Sequence, residues 1–228
     1  VLGGPGRQEL MNPIIEQFGV RFMPGQLVQP TPLLQADLIQ AIPTDEGAAY
    51  WSNLDFIRKN EGCVAMPGCV GLEYTPTDGI TVVPLLSTDT TGCWNRIVAT
   101  DFVRDSVRYM PETGDQAGIF TTTLALTRNV NDLEQRVLIV GNTDFLSNGE
   151  FATGRREVRN FNGILKHAAF YWLSHEELPV NTEGDAPIDR KLYVSEAAME
   201  IWSIVFMVVI PVILALAGII IWVRRRGR

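Results

Sequence analysis

The chain has 228 residues and a formal net charge of −7; the four arginines after residue 223 contribute +4, so the part before residue 201 carries −11. That acidic balance argues against nucleic acid as a partner, because phosphate recognition needs a basic surface. It gives no support to a basic membrane-binding face either. Roughly 195 residues outside the final apolar run suffice for one sizeable domain or two small ones.

The chain opens Val1-Leu2-Gly3-Gly4-Pro5, which reads as a strand running into a turn, with no signal-peptide n-region or h-region. The expectation is the C-terminal part of a longer protein, with a complete tail-anchored protein as the alternative. Gly3-Gly4-Pro5-Gly6 is better explained as a turn and helix start than as an anion cradle, since Pro5 lacks a donor and no Lys follows. Arg7 to Phe18 has helical spacing, with Leu10, Ile14, Ile15 and Phe18 on one expected face, Pro13 inside and Gly19 at the end. Ala36 to Ile42 reads as a strand closed by Pro43, and Thr44 as the cap of a helix with Asp45 and Glu46 in its first turn. Cys63 to Met66 is a short strand before Pro67-Gly68.

Ile80 to Leu86 is extended, and Pro84 predicts an edge position. Arg104 to Gln116 is polar and reads as an exposed loop. Gly118 to Leu126 has strand composition. Arg136 to Gly141 is apolar almost throughout, as parallel strands buried on both faces are. Phe161 to Leu173 is an amphipathic helix with Phe161, Ile164, Leu165, Ala168, Ala169 and Trp172 in one stripe. A strand followed by a helix points to an α/β sheet. Thr182 to Arg190 is a polar linker, and Ser195 caps the last helix.

That helix carries the strongest signal in the chain. Ile201 to Val223 is a run of 23 uncharged residues, followed at once by Arg224, Arg225, Arg226 and Arg228. At about 1.5 Å per residue it spans the roughly 30 Å hydrocarbon core of a bilayer. Trp202 and Trp222 stand at the headgroup levels, and the arginines mark the cytoplasmic end. Pro211 and Gly218 are places where a neighbouring helix could approach closely. A buried core helix is the competing explanation. The resulting division is an extracytoplasmic α/β domain at 1–181, a linker at 182–194, a transmembrane helix at 195–224 and a basic cytoplasmic tail at 225–228.

Few residues suggest chemistry. The strand at 136–141 delivers Asn142, Asp144 and Asn148 to its carboxyl end, where open α/β sheets place ligand sites. Turn and helix capping by the same side chains is the simpler explanation. Cys63, Cys69 and Cys93 are no disulfide framework. Cys63 and Cys69 could pair in an oxidising compartment or stay free and buried. Pro67-Gly68-Cys69-Val70-Gly71 nearly matches a nucleophile elbow, but a nucleophilic Cys needs a base in reach. His167 and His175 are the two histidines, too few for a zinc site. A phosphate-binding loop with Lys is absent from the sequence, so no nucleotide or other cofactor is expected.

Arg136 to Asn148, then Asn160 to Ser174 with Trp172-Leu173, then an apolar helix with Pro211 and Gly218 before Trp222-Val223-Arg224-Arg225-Arg226, together resemble the gliding-motility GldG-like family. Pro5-Gly6-Arg7-Gln8-Glu9, Val64-Ala65-Met66-Pro67-Gly68 and Pro84-Leu85-Leu86-Ser87-Thr88 leading to Trp94 are similar to it as well. The resemblance implies a periplasmic domain with a flavodoxin-like or glutamine-amidotransferase-like fold. It also implies an inner-membrane anchor, a further N-terminal transmembrane helix, and partnership with the permease and ATPase of an ABC transport system. The family offers no agreed catalytic residues. The expected function is therefore a non-enzymatic auxiliary subunit of an ABC transporter, linked to gliding motility or another transport task. The alternative is a membrane-anchored hydrolase or amidotransferase-like enzyme using Cys69.

Overall fold

The computed structural model describes residues 1–32, 34–89, 92–98, 100–102, 107–152, 158–177 and 196–226. They divide into two units, Val1–Asn181 and Thr182–Arg228. The linker expected at 182–194 and the Ser195 cap lie outside the described residues.

Helix α1 (Gln8–Ile15) runs through Pro13, tightens into a 3-10 turn at Glu16–Phe18 and ends at Gly19 with φ 72°. Its inward face is Asn12 and Ile15, with Met11 and Phe18 partly covered. Leu10 and Ile14, expected on that face, are 74% and 47% exposed. Asn12 explains the rotation. Its side-chain amide donates to the Phe22 carbonyl at 3.3 Å and accepts from the Phe22 N–H at 2.8 Å, as a neighbouring strand would. Turning that polar group outward would leave both Phe22 groups unpaired, and a buried unpaired group costs ~1–3 kcal/mol.

Strands β1 (Val20–Phe22), β2 (Gln26–Val28) and β3 (Leu38–Pro43) follow. Thr44 then caps α2 (Asp45–Tyr50) as expected, its hydroxyl accepting from the Gly47 N–H at 2.8 Å. Helix α3 (Ser52–Lys59) precedes β4 (Val64–Pro67), β5 (Leu72–Tyr74), β6 (Ile80–Ser87), β7 (Trp94–Arg96) and β8 (Gln116–Ala117). Two long strands, β9 (Thr121–Val130) and β10 (Leu133–Val140), lead through a 3-10 turn to α4 (Asn148–Ala152) and α5 (Asn162–Leu173).

The main sheet has seven strands in the order β1-β5-β9-β6-β3-β4, with β10 also on β9, and β2-β7-β8 form a second sheet. All of these pairings are antiparallel. The unit is thus mixed α/β with antiparallel sheets. The parallel pairing expected for Arg136–Gly141 is confined to one bridge, Leu2 to Val140; the strand's long partner is the antiparallel β9, and the reason is local. Asn131 and Asp132 both have positive φ, 52° and 63°. That is the two-residue turn whose twist suits a hairpin, and it pairs Val130 with Leu133 and Thr123 with Val140. The continuous apolar run has a different cause: both faces of this sheet are covered. Leu138 and Val140 enter the core beneath α3 and α5, while Ile139 enters the one beneath α1 with Val20, Phe22 and Leu124.

Pro84 also departs from expectation. Strand β6 lies between β9 and β3 rather than at an edge. The proline is accommodated at an irregularity, where register shifts between Pro84 and Leu86 and β3 reaches β6 only at Ile42 and Pro43. Beyond that point Thr44 takes over, its hydroxyl donating to the Pro84 carbonyl and its N–H to the Leu85 carbonyl.

In the second unit, α6 (Glu196–Ile204), a π-helical segment at Val205–Val209 and α7 (Ile210–Arg226) follow one another without a break.

Candidate functional site

The sequence-predicted turn after β10 does not gather its three polar residues into one place. Asn142 is 1% exposed and faces inward. Its amide donates to the Pro67 carbonyl at 2.5 Å and to that of Gly68 at 3.4 Å, while its oxygen accepts from the Phe145 N–H at 2.6 Å. Asn142 therefore ties the β4–β5 loop to the turn and has little left for a ligand. Asp144 and Asn148 are exposed; Asp144 accepts from the Thr143 hydroxyl at 3.3 Å, and Ser147 supplies the cap of α4 through the Glu150 N–H. Gly141 is needed for close approach: a Cβ there would lie 2.0 Å from the Val70 carbonyl oxygen.

A second buried asparagine, which the sequence patterns did not single out, completes this knot. Asn162, 1% exposed at the start of α5, accepts from the Ala65 N–H and donates to the Ala65 carbonyl, both at 2.8 Å, and donates to the Phe145 carbonyl at 3.0 Å. It serves as a one-residue strand on the open side of β4, continuing the Cys63–Asn160 bridge. The Asn160-Phe161-Asn162 run just before an amphipathic stripe is the signal that could have marked it.

All three cysteines are free and buried, so the Cys63–Cys69 pairing does not occur here and the free-thiol alternative holds. Burial raises the Cys63 thiol to about 12 and raises Cys69 further still, against a small opposing hydrogen bond to Val70. The Cys69 sulfur contacts Met66 Sδ at 4.0 Å and the Val70 carbonyl at 3.4 Å. Neither histidine is among its partners; His167 and His175 are both exposed. A protonated, fully buried thiol is a poor nucleophile. Among the described residues no group of His, Cys, Asp and Glu is placed to hold a metal ion.

The loop expected to be exposed before Gln116 hides an ion pair. Asp115, with a side chain fully buried, meets Arg96 at 2.8 Å and 3.4 Å and accepts from the Met110 N–H at 2.9 Å. Arg96 also donates to the Arg108 carbonyl and lies 5.9 Å from the Trp94 ring centre. These contacts fasten the β7–β8 connection.

Among the clefts that present polar groups to solvent, two lie beside α3. One of about 570 Å³ is lined by Gln40, Arg58, Glu61, Cys63 and Arg159 among others. Arg58 there is already engaged by Asp45 at 2.6 Å and Asp55 at 3.5 Å. The other, of about 320 Å³, is aromatic and lies between the α2–α3 junction and the end of α5.

The helical unit has one outstanding feature, its apolar length. Ile201–Arg226 is 26 residues long, and an 18-residue stretch of it has a mean hydropathy of 3.2 and no buried residue, so that by length and composition the helix could cross a membrane. Trp202 and Trp222, 56% and 58% exposed, stand about 30 Å apart along the axis by the helical rise. Arg226 lies 4.8 Å over the Trp222 ring, beside Arg224 and Arg225 in the last turn. Nothing lies within 4 Å of where a Gly218 side chain would be. Comparison with protein-family models, curated proteins and solved structures gave no match to this chain.

Proposed function

We propose that this chain is a non-enzymatic, membrane-anchored auxiliary subunit of an ABC-type transport assembly. Its domain is extracytoplasmic and its arginine-rich end cytoplasmic. The observation that carries the reading is the bare apolar helix: Ile201–Arg226 exposes its apolar side chains all round, which a water-soluble protein rarely tolerates. The arginine cluster at one end gives the orientation by the positive-inside rule. The sequence motifs around Arg136–Asn148, Trp172 and Trp222–Arg226 supply the transporter assignment and its association with gliding motility in an inner membrane.

What supports a binding rather than catalytic role is the spending of reactive groups on structure. Cys69 is buried and protonated, and Asn142 and Asn162 are consumed by backbone contacts. The flavodoxin-like or glutamine-amidotransferase-like architecture implied by the resemblance is built on parallel strands, so the antiparallel pairing here leaves only its coarser α/β character. The test is affinity purification of the tagged chain from membranes in a mild detergent. Recovery of a multi-span permease and an ATPase in stoichiometric amounts is expected. Recovery of the intact chain alone would refute the assignment.

A further inference from the structure

The aromatic cleft at the α2–α3 junction is built from residues the membrane reading does not use. Trp51 and Trp172 form its back wall, 7% and 8% exposed, with ring centroids 5.5 Å apart. Tyr50 packs edge-on to Trp172 at 6.3 Å and remains 40% exposed. Tyr171, 42% exposed, is held on one side by His167, stacked at 6.4 Å and 8°. The two tyrosines thus offer fixed, half-open apolar surfaces. Around them stand groups that donate and accept: Asn53, Arg136 and Glu176. The Trp51 indole N–H is buried without a partner.

The charges narrow the ligand class. Arg136 places its guanidinium 5.4 Å from the Trp172 ring centre, donates through one terminal nitrogen to the Trp172 carbonyl at 2.8 Å and pairs through Nε with Glu134, so its second terminal nitrogen is the one left for a ligand. A cationic ligand would compete with it for the same ring. Glu176 stands within 3.5 Å of the Tyr171 hydroxyl and repels anions. What remains favoured is a neutral molecule with an apolar face for the tyrosines and a rim of hydroxyl or amide groups for the planar polar side chains. A pyranose ring has that form, and about 320 Å³ is at the small end of ligand-site volumes, enough for one or two such rings.

We propose that this cleft is a binding site for a neutral saccharide, stacked against Tyr50 and Tyr171 and hydrogen-bonded by Asn53, Glu176 and Arg136. The proposal goes beyond the transporter reading and does not depend on it; co-purification of a permease bears on that reading and not on this site.

The experiment is a fluorescence titration of the full chain in lipid nanodiscs, which avoids the sugar headgroups of glucoside and maltoside detergents. The probes are maltose, cellobiose and di-N-acetylchitobiose, each added alone, with a decaproline peptide in parallel. At least one saccharide is expected to change the Trp51 and Trp172 emission saturably, with a Kd of about 1 mM. Tyr171→Ala and Tyr50→Ala should each weaken it about tenfold, while Tyr171→Phe, which keeps the ring, should stay within about threefold. Both tyrosines are half exposed, and unchanged thermal melts will confirm that the variants fold. Asn53→Ala gives a second, independent loss of several-fold. Three outcomes overturn the proposal: no saturable response to any of the saccharides at about fifty times that concentration, a response indifferent to both alanine variants, or binding of decaproline in place of the sugars.

Discussion

Replacing Asn162 with alanine tests whether a single side-chain amide really holds β4, α5 and the turn after β10 together. The substitution removes three hydrogen bonds at 2.8, 2.8 and 3.0 Å. It leaves the Ala65 N–H, the Ala65 carbonyl and the Phe145 carbonyl facing a small void from which solvent is excluded, since Ala65 and Asn162 are 0% and 1% exposed. At the low end of ~1–3 kcal/mol for each stranded group, the loss is about 3 kcal/mol, a large part of the ~5–15 kcal/mol that holds a typical domain. For a unit of this size that corresponds to a fall in Tm of about 6–12 °C. Asn162→Asp should be at least as damaging, because its second carboxylate oxygen would face two carbonyl oxygens. The assay is a thermal melt followed by near-ultraviolet circular dichroism, which reports Trp51, Trp94 and Trp172 in the domain. A melt of Asn162→Ala within about 2 °C of the parent would refute the account, because it would mean that water or a shift of α5 re-satisfies all three groups.

Three further outcomes follow from the same contacts. Burial tends to raise the Asp115 carboxyl, but hydrogen bonds from Arg96 and Met110 and the Arg96 charge bring it below its ordinary value of 3.8. A carboxyl depressed in the folded state contributes stability above that ordinary value and loses it as pH falls through the folded one. Acid titration from pH 5 downward should therefore destabilise the parent, and Asp115→Asn should flatten that part of the curve; Asp115→Ala at neutral pH should cost ~3–5 kcal/mol by stranding Arg96. Gly141→Ala should cost about 1–3 kcal/mol, measured by denaturant unfolding, because its Cβ would collide with a backbone oxygen that cannot rotate away. Cys63 and Cys69 should resist a maleimide reagent at pH 7 and react only after unfolding, and Cys69→Ser should leave complex assembly intact; rapid native labelling of Cys69 would revive the enzyme alternative.

Local signals in the sequence translated well where they act through neighbours in the chain. Thr44 as a cap, Gly19 as a helix end and the stripe of α5 are all decided within a few residues, and each forms as read. Errors arose where a residue's role depends on something distant. The apolar run of β10 says only that both faces are covered; the pairing direction is written in Asn131-Asp132, a hairpin turn with no apolar periodicity of its own. The missing donor of Pro84 predicts an edge, yet the sheet hides that lack at an irregularity shared with Thr44. Asn12, Asn162 and the Arg96–Asp115 pair are invisible to hydropathy because polar residues read as exposed until their partners are known. The aromatic cleft is the extreme case, since Tyr50-Trp51 and Tyr171-Trp172 meet only through the packing of α3 and α5.

The helix proposed to span the membrane shows a related compromise between local rule and environment. Pro211 has no N–H, and its ring collides with the carbonyl of the residue four positions earlier in a regular helix. In water the freed carbonyl could be solvated, but in hydrocarbon every backbone polar group has to find an internal partner. Widening would meet this demand: Val205–Val209 is π-helical, and the Ile210 N–H bonds back to the Val205 carbonyl, five residues away. Such π segments occur mostly as local insertions at functional positions, and this one falls before the small residues Ala215, Ala217 and Gly218. A plain hydrophobic anchor needs neither the proline nor the widened turn. Both are understandable if the segment must bend against a neighbouring helix, which is what membership of a larger membrane assembly would require.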